Sequence, residues 1–227
     1  MKTTSRSLLL DTIRGVAVVL MLFFHFSYDL WLFKLADISI NNFFWFYLPR
    51  LIVFLFLFSV GVSLWTVHTP KRNDKKIWQR FFKLSGLAIV ISVSTYVMFP
   101  KTWIYLGTIH CIALCSLIMS YLVPYRKILI ALIIFILATY FAFDLTTSKL
   151  AFIPHVKSMD FIPVYPWIWV VALGILLAPL VMQVKGKPNP VLRILSFLSR
   201  HSLKIYLLHQ PLFYGVLWVI VANSSTK

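Results

Sequence analysis

The chain has 227 residues, 60% hydrophobic and only 12% charged, with a mean hydropathy of +0.87, a composition that excludes a soluble domain whose surface must face water. Its formal charge of +16 does not indicate nucleic acid, because Lys and Arg cluster in short segments between apolar runs, the pattern that orients a membrane protein. The 20 Phe, 8 Trp and 10 Tyr suit acyl tails and headgroup anchoring, and so describe the solvent rather than a chemistry.

A membrane-spanning helix needs roughly 20 apolar residues, and seven segments approach that length: about 8 to 31, 43 to 67, 79 to 99, 102 to 122, 127 to 143, 162 to 184 and 202 to 222. Lys2 and Arg6 precede the first, which contains four ionisable residues and no clear small-residue cleavage site, so it reads as a retained helix. Basic residues follow the second segment (Lys71, Arg72, Lys75, Lys76, Arg80), the fourth (Arg126, Lys127) and the sixth (Lys185, Lys187, Arg193, Arg200, Lys204). The opposite loops offer Lys34, Lys101, Lys149 and Lys157, partly offset by Asp37, Asp144 and Asp160. The expected fold is therefore an all-α, polytopic transmembrane bundle of about seven spanning helices, N-in and C-out, forming one membrane domain over 1–227. Cys111 and Cys115, one turn apart in an apolar run, read as packing thiols. The longest outer connection, about 144 to 161, with Pro154, His155 and Asp160 and then Pro163 and Pro166 just beyond, suggests an ordered non-helical cap, and 185 to 201 reads as the long inner loop.

The first helix carries the strongest functional signal. At 100° per residue, positions 11, 14, 18, 22, 25 and 29 fall within an arc of about 80°, so Asp11, Arg14, His25 and Asp29 share one face with Val18 and Leu22. Arg14 and His25 are separated by roughly 16 Å of rise, Arg14 toward the cytoplasm and His25 toward the outer side. An ionisable group at membrane depth is tolerated mainly where it faces the bundle interior or a watery cavity. One such residue fits a structural polar network, with Asp11 pairing Arg14; four on one face point to a lined site.

Other polar residues fall at comparable depth. Arg50, near the outer end of the second helix, is a partner for Asp29 on this topology. His110 sits in the fourth helix, and His209 lies mid-way along the seventh beside Gln210 and Pro211, where the proline frees a backbone carbonyl. For either histidine a hydrogen-bonded packing role and a functional role both stand. The chain has no glutamate, which argues against paired-carboxylate hydrolysis, and no P-loop, Gly-x-Ser-x-Gly or His-Glu-x-x-His signature. His25 and Asp29 alone are too few ligands for a metal, and no metal is expected. A histidine beside a carboxylate suits acid-base work.

The run Asp11-Thr12-Ile13-Arg14-Gly15 followed by Met21-Leu22-Phe23-Phe24-His25-Phe26 resembles the opening helix of the heparan-α-glucosaminide N-acetyltransferase catalytic-domain family, in its short bacterial form. Further matches are Phe56 to Leu64, Gly107 to Leu114 and His201 to Pro211, in the expected order over most of the chain. The Arg14 to His25 spacing also resembles the first-helix signature of the wider membrane acyltransferases. The resemblance implies transfer of an acyl group, typically acetyl from cytosolic acetyl-CoA as co-substrate, to an amine or hydroxyl of a sugar. On that reading Arg14, with Asp11, serves the donor side, and His25 is the general base with Asp29 setting its orientation. Arg50, His110, His209 and Gln210 are then candidates for positioning substrate. The first outer loop holds Lys34 and Leu35 and no histidine, so a catalytic histidine located there in animal relatives has no counterpart. A bacterial envelope glycan or glycolipid is a better acceptor than heparan, and the bacterial cytoplasmic membrane is the expected location. A proton-coupled transporter and a non-catalytic assembly subunit are the alternatives, since polar stripes and intramembrane histidines also mark transport paths.

Overall fold

A computed structural model describes residues 7–39, 42–69, 72–142, 158–184, 186 and 189–224. Its elements are all helical: α1 (Leu8–Leu32), α2 (Phe43–His68), α3 (Asp74–Met98), α4 (Thr108–Leu122), α5 (Arg126–Phe141), α6 (Val164–Gln183) and α7 (Pro190–Ser224). Among the described residues, α1, α2, α3, α6 and α7 are long and apolar enough to cross a membrane; α4, with 15 residues, is apolar but shorter, and α5 has 16. Outward-facing side chains such as Ile89, Val90, Val93 and Val97 on α3 are exposed and apolar, as a lipid surrounding requires.

Several boundaries differ from the hydropathy reading, each for a local reason. Asn73 caps α3 by accepting from the Lys76 N–H at 3.1 Å, so Lys75, Lys76 and Arg80 lie in its opening turns rather than in a loop. Residues 102–107 do not join α4. Leu106 takes a positive φ of 50°, and its carbonyl accepts from Ile162 N–H at 2.8 Å while the Thr102 carbonyl accepts from Met159 N–H at 3.0 Å. The segment 185 to 201, expected as a loop, is mostly helix: Asn189 accepts from the Leu192 N–H at 2.8 Å, and Pro190 suits a first helical position, where no N–H is needed. In the outer connection, residues 158–163 are non-helical as expected; Asp144, Lys149, Pro154, His155 and Lys157 lie outside the described residues, as do Lys2, Arg6, Lys71, Lys185 and Lys187.

The chain divides into two compact units, Met1–Phe56 with Val181–Lys227, and Leu57–Leu180. In the first, α1 packs along α7. A methyl group on Gly15 would lie 2.8 Å from Leu195 Cα, so only glycine lets the two backbones meet there. Partners rise together along both helices, Asp11 with Ser199, His25 with His209, Asp29 with Gln210 and Phe33 with Tyr214, so α1 and α7 run parallel. Ala17, Val18 and Met21 of α1 form a buried core with Leu48, Ile52 and Phe56 of α2. In the second unit α3 packs on α4, and Gly61 of α2 faces Gly174 of α6 closely enough that a Cβ on Gly61 would sit 2.9 Å from Gly174 Cα.

Candidate functional site

The polar face of α1 is covered by α7 rather than by lipid. At one end, the Ser199 hydroxyl donates to Asp11 Oδ1 at 3.0 Å, with both residues buried; Arg14, a turn further on, is half-buried. Further along α1, His25 and His209 meet edge to face, their ring centroids 4.7 Å apart and the planes at 81°. One turn on, Gln210 Nε2 donates to Oδ1 of fully buried Asp29 at 2.9 Å.

Helix geometry fixes the state of each histidine. Side chains on a helix lean toward its N-terminus, which brings a ring nitrogen over the carbonyl one turn back. His25 Nδ1 lies 2.9 Å from the Met21 carbonyl, and His209 Nδ1 lies 2.8 Å from that of Tyr206 and 3.2 Å from that of Ile205. A carbonyl only accepts, so each Nδ1 carries the proton and each Nε2 a lone pair. His209 Nε2, Asp29 Oδ2 and Gln210 Oε1 are buried without a hydrogen-bond partner. Four acceptors, counting His25 Nε2, therefore gather where α1 meets α7, a lining suited to a ligand that donates hydrogen bonds.

This corrects two expectations. Asp29 does not orient His25 by a direct bond, because the leaning ring takes the backbone carbonyl and leaves Asp29 to Gln210. Nor does Arg50 pair with Asp29: its guanidinium is exposed, bonds the Phe46 carbonyl and stacks 3.5 Å above the Phe46 ring. His110 has a structural job. Its Nδ1 accepts from the Gly107 N–H at 3.2 Å, so its Nε2–H donates to Ser92 Oγ at 3.1 Å, and Ser92 donates its own proton to the Ile104 carbonyl at 2.8 Å. Beside it Asp160 caps α4, accepting from the Thr108 N–H at 2.8 Å and the Thr108 hydroxyl at 3.1 Å. Helix α7 runs on through Pro211, so that proline removes one backbone bond without ending the helix. Cys111 and Cys115 are buried free thiols, with their sulfurs 3.7 Å apart. Among the described residues no three His, Cys, Asp or Glu side chains come together as metal ligands would.

Ser199 was not legible as a partner of Asp11, since an isolated helical serine carries no pattern. A second polar group was also missed: His68, buried at the end of α2, lies against Ser120 of α4 with Nε2 and Oγ 3.3 Å apart.

No curated protein and no solved structure matches the chain. The family model described as heparan-alpha-glucosaminide N-acetyltransferase, catalytic, matches residues 6–211, a stretch that contains every member of the α1–α7 polar face from Asp11 to Gln210, and the chain belongs to that family.

Proposed function

We propose that the chain is an integral membrane acyltransferase that moves an acetyl group from cytosolic acetyl-CoA to an amine or hydroxyl of an envelope sugar or glycolipid. Family membership supports the transferase class. The observation that carries the site is the His25 Nε2 lone pair beside the partnerless acceptors of His209, Asp29 and Gln210. An amine or a sugar hydroxyl brings the hydrogens this lining lacks.

In the reaction, the acceptor nitrogen or oxygen attacks the thioester carbonyl while His25 Nε2 takes its proton. The new C–N or C–O bond forms, the C–S bond breaks, and the imidazolium returns the proton to the departing thiolate. The Asp29 carboxylate, one helical turn away, stabilises the imidazolium electrostatically. The Gln210 bond holds that carboxylate in place. Arg14, toward the other end of the same face, serves the anionic donor, with Asp11 as its neighbour on that side.

The orientation supported is N-in and C-out in a bacterial cytoplasmic membrane, with all 227 residues acting as one domain. Parallel α1 and α7 cross in the same direction, which requires an odd number of crossings between them. Helices α2, α3 and α6 supply three, so α4 and α5 cross together or not at all. Charge on Arg126 and Lys127, between those two, supports crossing together and hence seven spans.

The test is transfer of radiolabelled acetyl from acetyl-CoA to envelope glycolipid by purified protein in liposomes. His25→Ala is expected to lower transfer by roughly 10²–10⁴-fold with folding intact. Full transfer by that variant overturns the assignment of the base, and no acetyl-sized mass difference in envelope glycans between cells with and without the gene overturns the reaction.

A further inference from the structure

Helix α7 is longer than a bilayer's hydrocarbon is thick. Its 35 residues rise about 52 Å against about 30 Å of acyl chain, so one end reaches into or past the headgroups. Composition says which end. Residues 205–222 contain no Lys, Arg, Asp or Glu, whereas 190–204 carry Arg193, Arg200 and Lys204, and α7 has no acidic residue anywhere. At 100° per residue these three cations and Phe197 fall within an arc of about 60°, spread over roughly 16 Å of helix. All four are exposed, Phe197 at 55%.

Packing on α1 turns this stripe outward. Leu195, whose backbone meets Gly15, and Ser199, which bonds Asp11, lie about 100° or more round the helix from every member of it. Asp11 belongs to the first turn of α1, so the stripe stands at the level where α1 begins, at one face of the membrane. The Arg200 Nε–H donates to the Ser196 carbonyl of its own helix at 3.2 Å, which leaves both terminal NH₂ groups for another partner. His201 sets its ring 4.4 Å from that of Phe197. Among the described residues no carboxylate forms an ion pair with Arg193, Arg200 or Lys204. What lies against an exposed helix face in a bilayer is lipid, and charge decides which lipid. A zwitterionic headgroup brings its own ammonium to offset its phosphate, whereas an anionic one leaves the phosphodiester for a guanidinium fork.

We infer that the outward face of α7 formed by Arg193, Phe197, Arg200 and Lys204 is a docking surface for anionic phospholipid in the leaflet at the N-terminal end of that helix. Arg193 and Arg200 take phosphodiester oxygens, and Phe197 lies against the lipid between them. Lys204, the deepest of the three cations, keeps its alkyl stem among acyl chains and reaches back to the headgroups. The surface shares no residue with the polar face that α7 turns to α1, and it stands whether or not that face is catalytic.

The full chain is reconstituted in nanodiscs of equal parts phosphatidylglycerol and phosphatidylcholine, each carrying the same photoreactive diazirine near the head of one acyl chain. Cross-links within residues 190–204 are counted by peptide mass spectrometry. Phosphatidylglycerol is expected to exceed phosphatidylcholine there by about tenfold or more. Arg193→Gln, Arg200→Gln and Lys204→Gln together are expected to bring the two lipids within about twofold of parity, while Arg193→Lys with Arg200→Lys keeps most of the excess. Lys34→Gln with Lys101→Gln, exposed lysines outside α7, changes the ratio by less than about twofold. If the triple variant does not insert, Arg200→Gln alone is expected to lower the excess about threefold or more. Parity of the two lipids in the wild type overturns the inference, and binding of inorganic phosphate alongside that parity would make the occupant a soluble anion. It is equally overturned if the excess persists in the glutamine variants, or if Lys34→Gln with Lys101→Gln loses as much as they do.

Discussion

At the scale of single residues, the polar groups proposed for the site differ from the other polar groups of the helices in how much of their hydrogen-bonding capacity is left unused. His110 has both ring nitrogens engaged, in a chain that ends on the Ile104 carbonyl, and Arg50 is exposed, bonding the Phe46 carbonyl of its own helix. His25 and His209 each commit one nitrogen to a backbone carbonyl and keep the other. Asp29 commits one oxygen to Gln210 and keeps the second buried without a partner. Asp29→Asn tests what that carboxylate does, because the amide that replaces it can still accept from Gln210 while carrying no charge. The expected outcome is a fall in kcat of about 10- to 100-fold with the melting temperature nearly unchanged, measured by single-turnover acetyl transfer. Wild-type kcat in the Asp29→Asn variant would remove the charge from the mechanism. The residue types of this site were legible in the sequence, since four ionisable side chains on one apolar helix are costly and therefore conspicuous. Their bonding partners were not. A partner 181 positions away, as Gln210 is from Asp29, leaves no periodicity to read.

At the scale of elements, the packing of α1 on α7 positions the polar face, and glycine sets its closeness. Gly15 and Gly86 both interrupt helices and read alike in sequence, yet their surroundings differ. A Cβ at Gly15 meets the Leu195 backbone, with its Cα at 2.8 Å, whereas at Gly86 nothing lies within 4 Å. The same substitution should therefore act with opposite sign. Gly15→Ala is expected to destabilise by about 1–3 kcal/mol through overpacking against an unyielding backbone. Gly86→Ala is expected to stabilise by about 0.5–1 kcal/mol, the helix propensity it gains. Thermal unfolding of both variants in the same detergent checks the pair; a stabilising Gly15→Ala would mean that α1 and α7 are not in backbone contact. Gly15→Ala should also reduce transfer, since shifting α1 moves His25 and Asp29 away from His209 and Gln210. Helix boundaries were less legible than helix cores because they depend on caps. The hydropathy of residues 102–107 favours helix, but bonds to Met159 and Ile162, more than 50 positions on, hold that stretch in another conformation.

At the scale of the whole molecule, the direction in which α1 and α7 run ties topology to the site, because it sets His25 and Asp29 toward the side opposite the N-terminus. Cysteine substitution with a membrane-impermeant maleimide tests the resulting arrangement in intact cells, the native Cys111 and Cys115 being buried. Lys34→Cys is expected to react from outside, and Lys75→Cys and Lys127→Cys only after permeabilisation. External labelling at position 127 would mean that α4 and α5 do not cross, giving five spans, and external labelling at position 75 would reverse the orientation. The sequence by itself determined that the chain lives in lipid, that it is helical, and which helix carries ionisable groups, because each follows from the cost of placing a polar group in hydrocarbon, and that cost arises locally, residue by residue. Only the tertiary structure decided that α7 covers that helix, that His209 faces His25, and that His68 at the end of α2 meets Ser120 of α4. Those outcomes depend on which distant backbones can approach and which polar atoms remain unpaired after packing, and neither is a property of any one stretch of chain.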